Sequence, residues 1–333
     1  MTTAMTKNLK SLTLALGLTV IVTPALPAQT PGGTVQSHVA AARAAGAKEH
    51  PGLFDRICSA DALRPPPAPA AAPGARPAPP PPSAWHVEPA KVFDNLYYVG
   101  EKEFSAWAVV TSEGIIVIDT IFDYSVEDEV AGGLRKLGLD PKNIKYAVVS
   151  HGHYDHSGGA RFLQERFDAR VLMSAADWDM LDRNTRDPAK PKRDMVITDG
   201  MKLTLGDTTL TFYLTPGHTA GTVSTLIPVK DGGRPHLAAA WGGTAFNFAR
   251  SADAFKIYNS SAERFRGIVT QAGADVILSN HTVFDGTKEK IPALARRRPG
   301  APHPYVIGTK SVQNYLTVAS ECSTAAMLSL DAR

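Results

Sequence analysis

From about residue 85 onward, short apolar runs punctuated by turn residues alternate with longer amphipathic stretches. Residues 144–150 (Ile-Lys-Tyr-Ala-Val-Val-Ser) are apolar and β-branched and read as a buried strand. Residues 106–111 and 115–119 are two more strands, joined at Ser112-Glu113-Gly114 as a hairpin. Residues 92–99 hold a further strand that ends at Gly100. Between these strands and 144–150, Val126, Val130, Leu134 and Leu137 recur at helical spacing, predicting an amphipathic helix over 124–138. A helix over 158–167, a strand at 170–173 and a short helix over 175–181 follow. Residues 184–193 are polar, contain Pro188 and Pro191, and read as a loop.

The second half repeats the scheme. Strands at 202–205 and 210–214 flank Gly206-Asp207, and strands at 222–229 and 237–241 flank Lys230-Asp231-Gly232-Gly233. A helix over 254–272, a strand at 276–279 and a closing helix over 311–328 complete the chain. Two β-rich halves, each with outer helices, predict an α/β fold: a four-layer αβ/βα sandwich.

The pattern before residue 85 differs. Lys7 and Lys10, an apolar run over 12–22, and small residues at Ala25 and Ala28 form a secretory signal pattern over residues 1–28. The apolar run is shorter than the ~20 residues of a membrane span. Residues 29–63 read as a helical extension, with a helix over 35–47 and an apolar face of Leu53, Phe54, Ile57 and Cys58. Alone this piece is too small for a core. Residues 64–83 are a proline-rich, low-complexity linker; at ~3.1 Å per residue it reaches about 60 Å. The main domain is then residues 84–333.

Composition adds two constraints. Hydrophobic residues make up 44% and charged residues 20%, as in ordinary globular proteins. The formal charge of +3, or +1 without Lys7 and Lys10, gives no argument for a nucleic-acid partner. The expected location is periplasmic or secreted, with a small-molecule substrate and no membrane span once the signal is removed. Cys58 and Cys322 are the two cysteines. In an oxidising compartment they form a disulfide tying the extension to the closing helix, or they stay two thiols; the sequence leaves both open.

The chemistry concentrates where strand 144–150 ends. His151-Gly152-His153-Tyr154-Asp155-His156 offers four ligand side chains within six residues. Imidazole and carboxylate together suit zinc or a similar first-row metal. A catalytic zinc takes about three protein ligands plus water, so four clustered ligands imply two ions and further ligands elsewhere. Two other predicted strands end in histidines: Thr215-Pro216-Gly217-His218 and Ser279-Asn280-His281. His38, His50, His86, His236 and His303 lack such placement and read as surface or capping residues.

Taken together, His151-x-His153-x-Asp155-His156, Pro216-Gly217-His218-Thr219 and Ser279-Asn280-His281 resemble the metallo-β-lactamase superfamily, over about residues 85–320. The resemblance implies that fold, with a dinuclear zinc site between the halves. It implies His151, His153 and His218 as ligands of a first zinc, and Asp155, His156 and His281 as ligands of a second. Related lactonases and thioesterases carry a bridging Asp after a strand of the second half, and two β-lactamase subclasses carry a Cys there. Here the comparable strand leads into Gly242-Gly243-Thr244. The ligand set therefore resembles the third subclass, whose ligands are His and Asp, although that subclass often has serines near Gly243.

The resemblance implies a secreted dizinc β-lactamase, an antibiotic-resistance enzyme in which a zinc-bound hydroxide attacks the β-lactam carbonyl and Asp155 orients it and relays a proton. Phe104, Trp107 and Thr244 are the expected substrate contacts, with the loop at 184–193 closing over them. A dizinc hydrolase of a lactone, ester or thioester is the alternative. A catalytically inactive metal-binding protein of the same fold is a third reading, against which the complete ligand set argues.

Overall fold

The apolar runs pair into two sheets. The computed structural model describes residues 1–2, 33–64, 79–184 and 190–330. The signal pattern and most of the proline-rich stretch therefore lie outside the described residues, as does the middle of the loop at 184–193. The first sheet holds β1 (Ala90–Lys91), β2 (Leu96–Tyr98), β3 (Trp107–Thr111), β4 (Gly114–Ile118), β5 (Ile144–Val148), β6 (Arg170–Ser174) and β7 (Met195–Ile197), side by side in that order. Its first four strands are antiparallel, as hairpin-length connections allow, and β4 to β7 run parallel. The second sheet holds β8 (Lys202–Leu205), β9 (Thr208–Leu214), β10 (Val223–Asp231), β11 (Arg234–Trp241) and β12 (Val276–Ser279), with only β12 joining in parallel.

Side-chain alternation sorts these strands into layers. In β10, Ile227 faces the first sheet while its neighbour Leu226 faces helices on the outside. Trp107, Val109, Ile116 and Ile118 from the first sheet meet Leu210, Phe212, Val223 and Leu278 from the second, forming the central core. Residues on the outer face of the first sheet, such as Val117, Ala147 and Val171, are covered by Val130, Leu134, Leu163 and Trp178. The outer face of the second sheet is covered by Phe255, Tyr258, Phe265, Tyr315 and Leu316. The result is a four-layer αβ/βα sandwich, as the strand and helix pattern predicts.

The helices are α1 (Val35–Gly46), α2 (Pro51–Ile57), α3 (Ala60–Leu63), α4 (Pro82–Trp85), α5 (Gly132–Lys136), α6 (Tyr154–Ser157), α7 (Ala160–Phe167), α8 (Ala175–Arg183), α9 (Ala252–Ala272), α10 (Thr282–Asp285), α11 (Thr287–Ala295) and α12 (Thr309–Leu328). Leu53, Phe54 and Ile57 of α2 are buried in the same cluster as Val312, Tyr315 and Ala319 of α12. A disulfide joins Cys58 to Cys322. The helix expected over 124–138 begins instead as a π-helical turn, Glu127–Ala131, before α5. Strand β7 and helices α10 and α11 follow no apolar periodicity long enough to announce them; α11 even contains Pro292.

The register places the loops. Parallel pairing of Ile118 with Val148 brings the ends of β4 and β5 together. Parallel pairing of Trp241 with Ser279 does the same for β11 and β12. Across the sheets, Val223 N–H donates to Ser150 O at 2.8 Å. One edge of the sandwich thus collects the segments after β4, β5, β9, β11 and β12.

Candidate metal centre

His151 follows β5 directly and is fully buried. Its Nδ1–H donates to the Gly242 carbonyl at 2.8 Å, which leaves Nε2 as the free lone pair. His218 is held the same way, donating from Nδ1 to Ala245 O at 2.7 Å. The turn that presents it needs glycine: Gly217 has φ +145°, and a Cβ there would stand 2.6 Å from the Tyr258 backbone. His218 Nε2 then lies 3.0 Å from His151 Nε2 and 3.1 Å from His153 Nδ1. Three ring nitrogens pointed at one another at this distance have a cation as their natural common partner.

The second trio sits beside the first, with the His151 and His156 rings 4.3 Å apart. Asp155 Oδ2 is 3.1 Å from His156 Nε2 and 3.5 Å from His281 Nε2, and the two Nε2 atoms are 3.3 Å apart. Asp155 and His156 belong to the one-turn helix α6. His281 N-caps α10 just past β12. His156 Nδ1 faces Asp119 Oδ2 at 3.1 Å.

Charge follows this geometry. Burial opposes a proton on His156, but the Asp155 and Asp119 carboxylates outweigh it and raise the imidazole to about 10. Burial, and then His153, push His218 down to about 4; burial, and then His156, push His281 down to about 3. Burial would raise Asp155, but His156 and then His281 hold it well below the usual carboxylate range. The trio thus holds one proton in the place where a cation would bind, and binding a metal would displace it.

The donor set fits zinc. Each trio offers three ligand atoms that lie within 4.8 Å of one another. His151, His156 and His218 each direct their second ring nitrogen at a carbonyl or carboxylate, the arrangement that fixes tautomers in zinc sites. Three protein ligands around a zinc would leave room for a water ligand.

Several supporting residues carried no signal in the sequence. Asp119 and Ile121, after β4, both adopt left-handed backbone (φ 57° and 51°), which is costly for these residues. The strained turn aims Asp119 inward, where it accepts from Ser150 N and Oγ at 2.7 and 2.8 Å as well as facing His156. Asp177, on α8, accepts from Gly152 N at 2.8 Å, Thr219 Oγ1 at 2.7 Å and Gly221 N at 2.9 Å. It thereby clamps the residue after His151 to the residues after His218. Asn280 donates from Nδ2 to Gly242 O at 2.7 Å. In the sequence Asp119 looks only like the polar end of an apolar strand, and Asp177 only like a first-turn helix acid.

Of the expected substrate contacts, Phe104 reaches the centre. Backbone bonds Ser105 N to Asn280 O and Thr282 N to Glu103 O lay its loop along the His281 segment. Its ring is 5.1 Å from that of His281 and meets Phe122 edge-on. Trp107 and Thr244 are corrections. Trp107 is 2% exposed between the sheets, because inward alternation of β3 puts it there. Thr244 is 1% exposed, its carbonyl bonded by Tyr258 OH and its hydroxyl facing Tyr315. Glycine at 243 is a requirement of His218, whose Cβ would stand 2.5 Å from any Cβ there. The remaining histidines are structural, and two are buried rather than superficial: His50 bonds Ser311 O, and His303 bonds Val92 O and stacks on Phe93. No helix among the described residues is long and apolar enough to cross a membrane.

Comparison with known proteins bears on this centre. The family model of the metallo-beta-lactamase superfamily matches residues 103–232. BJP-1, a subclass B3 metallo-beta-lactamase of Bradyrhizobium japonicum, is 26% identical with a TM-score of 0.64, covering 74% of this chain and 96% of that one. A probable metallo-hydrolase, YybB of Bacillus subtilis, is 27% identical over 35% of this chain and 53% of its own length. A hydroxyacylglutathione hydrolase of Acidiphilium cryptum is 32% identical over 36% of this chain and 39% of its own length. The chain thus spans about half or less of the length of these curated relatives.

Proposed function

We propose that this chain, which belongs to the metallo-β-lactamase superfamily, is a secreted dizinc hydrolase that opens the ring of a β-lactam. The observation that carries the reading is the donor set: a three-histidine trio beside an Asp-His-His trio, with glycine where a bridging carboxylate would stand. Gly242 and Gly243 leave no carboxylate at the end of β11, and the His218 ring fills the space that a side chain at 243 would need. Zinc bound at this centre would supply a Lewis acid for the carbonyl and a water with its pKa lowered to about 7.

The chain's own groups do the rest. Asp155 stays ionised at neutral pH, so it accepts a hydrogen bond from water at the centre and orients it. Asp119 and the Gly242 and Ala245 carbonyls keep the imidazoles turned so that their lone pairs face inward. Phe104, with Phe122 and the Tyr124 ring stacked on it at 4.9 Å, forms an aromatic wall beside His281 that suits an apolar substituent. The signal pattern and the Cys58–Cys322 disulfide support a periplasmic or secreted location. The similarity to a hydroxyacylglutathione hydrolase keeps a thioester or lactone as the second reading.

The test is hydrolysis of a chromogenic β-lactam by the purified protein, with and without chelator, beside a lactone and thioester panel. Chelator-sensitive β-lactam turnover is expected. Turnover of a lactone or thioester with none of a β-lactam would replace the first reading by the second.

A further inference from the structure

We infer that one water molecule is bound between the two sheets beneath His151, and that it holds Asn280 as a positioning residue for that ligand. Just under the first trio, about 20 Å³ is open to the centre of a water molecule. Some 10–15 Å³ of such space holds one water. Trp107, Asp119, Ser150, Thr225, Gly242 and Asn280 are among the residues that line it. Three of the lining residues carry buried polar atoms with no hydrogen-bond partner among the described residues, Trp107 Nε1, Trp241 Nε1 and Asn280 Oδ1. The Trp241 ring packs with Tyr258 and Phe265, which leaves Trp107 Nε1 and Asn280 Oδ1 as the pair.

The two atoms are complementary, since an indole N–H only donates and an amide carbonyl only accepts. The orientation of the amide is fixed by its surroundings. Gly242 O can only accept, so the Asn280 NH₂ group faces it at 2.7 Å and Oδ1 is left over. The Trp107 ring is fixed by edge-on contacts to Tyr98 and Tyr305, with centroids 5.1 and 6.0 Å away. A buried donor and a buried acceptor left unmade both carry a desolvation cost. One water that accepts from Trp107 Nε1 and donates to Asn280 Oδ1 removes both costs at once, with Thr225 on the same wall for its second hydrogen.

The consequence reaches the metal centre through one carbonyl. Gly242 O takes hydrogen bonds from both Asn280 Nδ2 and His151 Nδ1. Asn280 Nδ2 also lies 3.3 Å from Ser150 Oγ, which bonds Asp119. Fixing the Asn280 amide therefore fixes the carbonyl that sets the His151 tautomer and keeps Nε2 free. The water does not depend on which substrate is hydrolysed. Its effect on affinity rests on the ligand assignment above, and the two are read separately.

In NMR spectra of the full protein, the Trp107 indole proton should show NOE and ROE contacts of opposite sign to a long-lived water. Trp107→Phe should abolish that signal. Trp178→Phe should leave it unchanged, because the Trp178 indole N–H donates to Met195 O at 2.8 Å on the outer side of the first sheet. Competition titration with a zinc chelator should show Asn280→Ala weakening the tighter zinc step by roughly 10–100-fold. An indole proton without a water contact, or a high-resolution crystal structure with Nε1 bonded directly to protein, would overturn the water. An Asn280→Ala protein with unchanged zinc affinity would overturn the positioning role even if the water is found.

Discussion

Asp177 shows how one buried side chain can govern a site it does not enter. It is fully buried and takes three hydrogen bonds from two ligand-bearing loops. Asp177→Ala leaves three buried donors unmade at roughly 1–3 kcal/mol each, less than additively because they share one partner. A loss of about 3 kcal/mol in urea unfolding is expected, with weakened zinc binding; a change within about 0.5 kcal/mol, the range of ordinary surface substitutions, would contradict it. Glu101 is the opposite case, a buried carboxyl that gains little. It is 1% exposed and hydrogen-bonded by Ser125, and burial raises it from 4.5 to about 7. The folded state then holds a proton that the unfolded state has released, so stability falls as pH rises from about 4.5 through 7 and levels off above. Glu101→Gln removes that slope. Melting temperatures across pH 5 to 8 should show the variant gaining on the wild type toward pH 8; parallel curves would refute the assignment. Of the six residues that come together, His151, His153, Asp155 and His156 were legible because their spacing is dense and chemically unusual, and His218 and His281 because each follows a predicted strand. Asp177, Asn280 and Glu101 were not, because each looks like an ordinary polar residue until the register brings its partners in.

At the scale of elements, the strands were read well wherever apolar runs met a turn signal, as at Ser112-Glu113-Gly114, where Thr111 pairs with Gly114. Reading failed where tertiary context overrides local pattern. The Glu127–Ala131 turn is π-helical although its apolar spacing suits an α-helix. Strand β7 has three residues and forms because the edge of β6 is open to it. Helices α1 and α2 illustrate a different dependence. Alone they are too small for a core, and α2 buries Leu53, Phe54 and Ile57 against α12. The Cys58–Cys322 bond closes a loop with a sequence separation of 264 residues. Crosslinks typically contribute about 2–4 kcal/mol, and the chain-entropy account gives roughly 5 kcal/mol for a loop this long. Reduction, or the Cys58→Ser/Cys322→Ser pair, should lower the melting temperature while circular dichroism keeps its folded shape. An unchanged melt would show that apolar packing alone holds α2 to α12.

Across the whole molecule, the parallel pairs β4–β5 and β11–β12 bring both sheets' loop-bearing ends to one edge. His151, His153, Asp155 and His156 come from the first sheet's side, and His218 and His281 from the second's. Neither half carries a complete trio, so the centre forms only when the sheets pack. That packing was foreseeable as a layer architecture, but the alignment of the two edges was not, since register is fixed by contacts distant in sequence. It also explains why Trp107 is not open to a substrate: the face of β3 that turns toward the second sheet is interior. We propose that each of the two trios holds one zinc. Mass spectrometry of the intact protein under non-denaturing conditions measures this most directly. Two zinc ions per chain are expected, falling to one when Asp155 and His281 are both replaced by Ala while the fold is kept. A wild-type chain that retains one ion or none in excess zinc would contradict it.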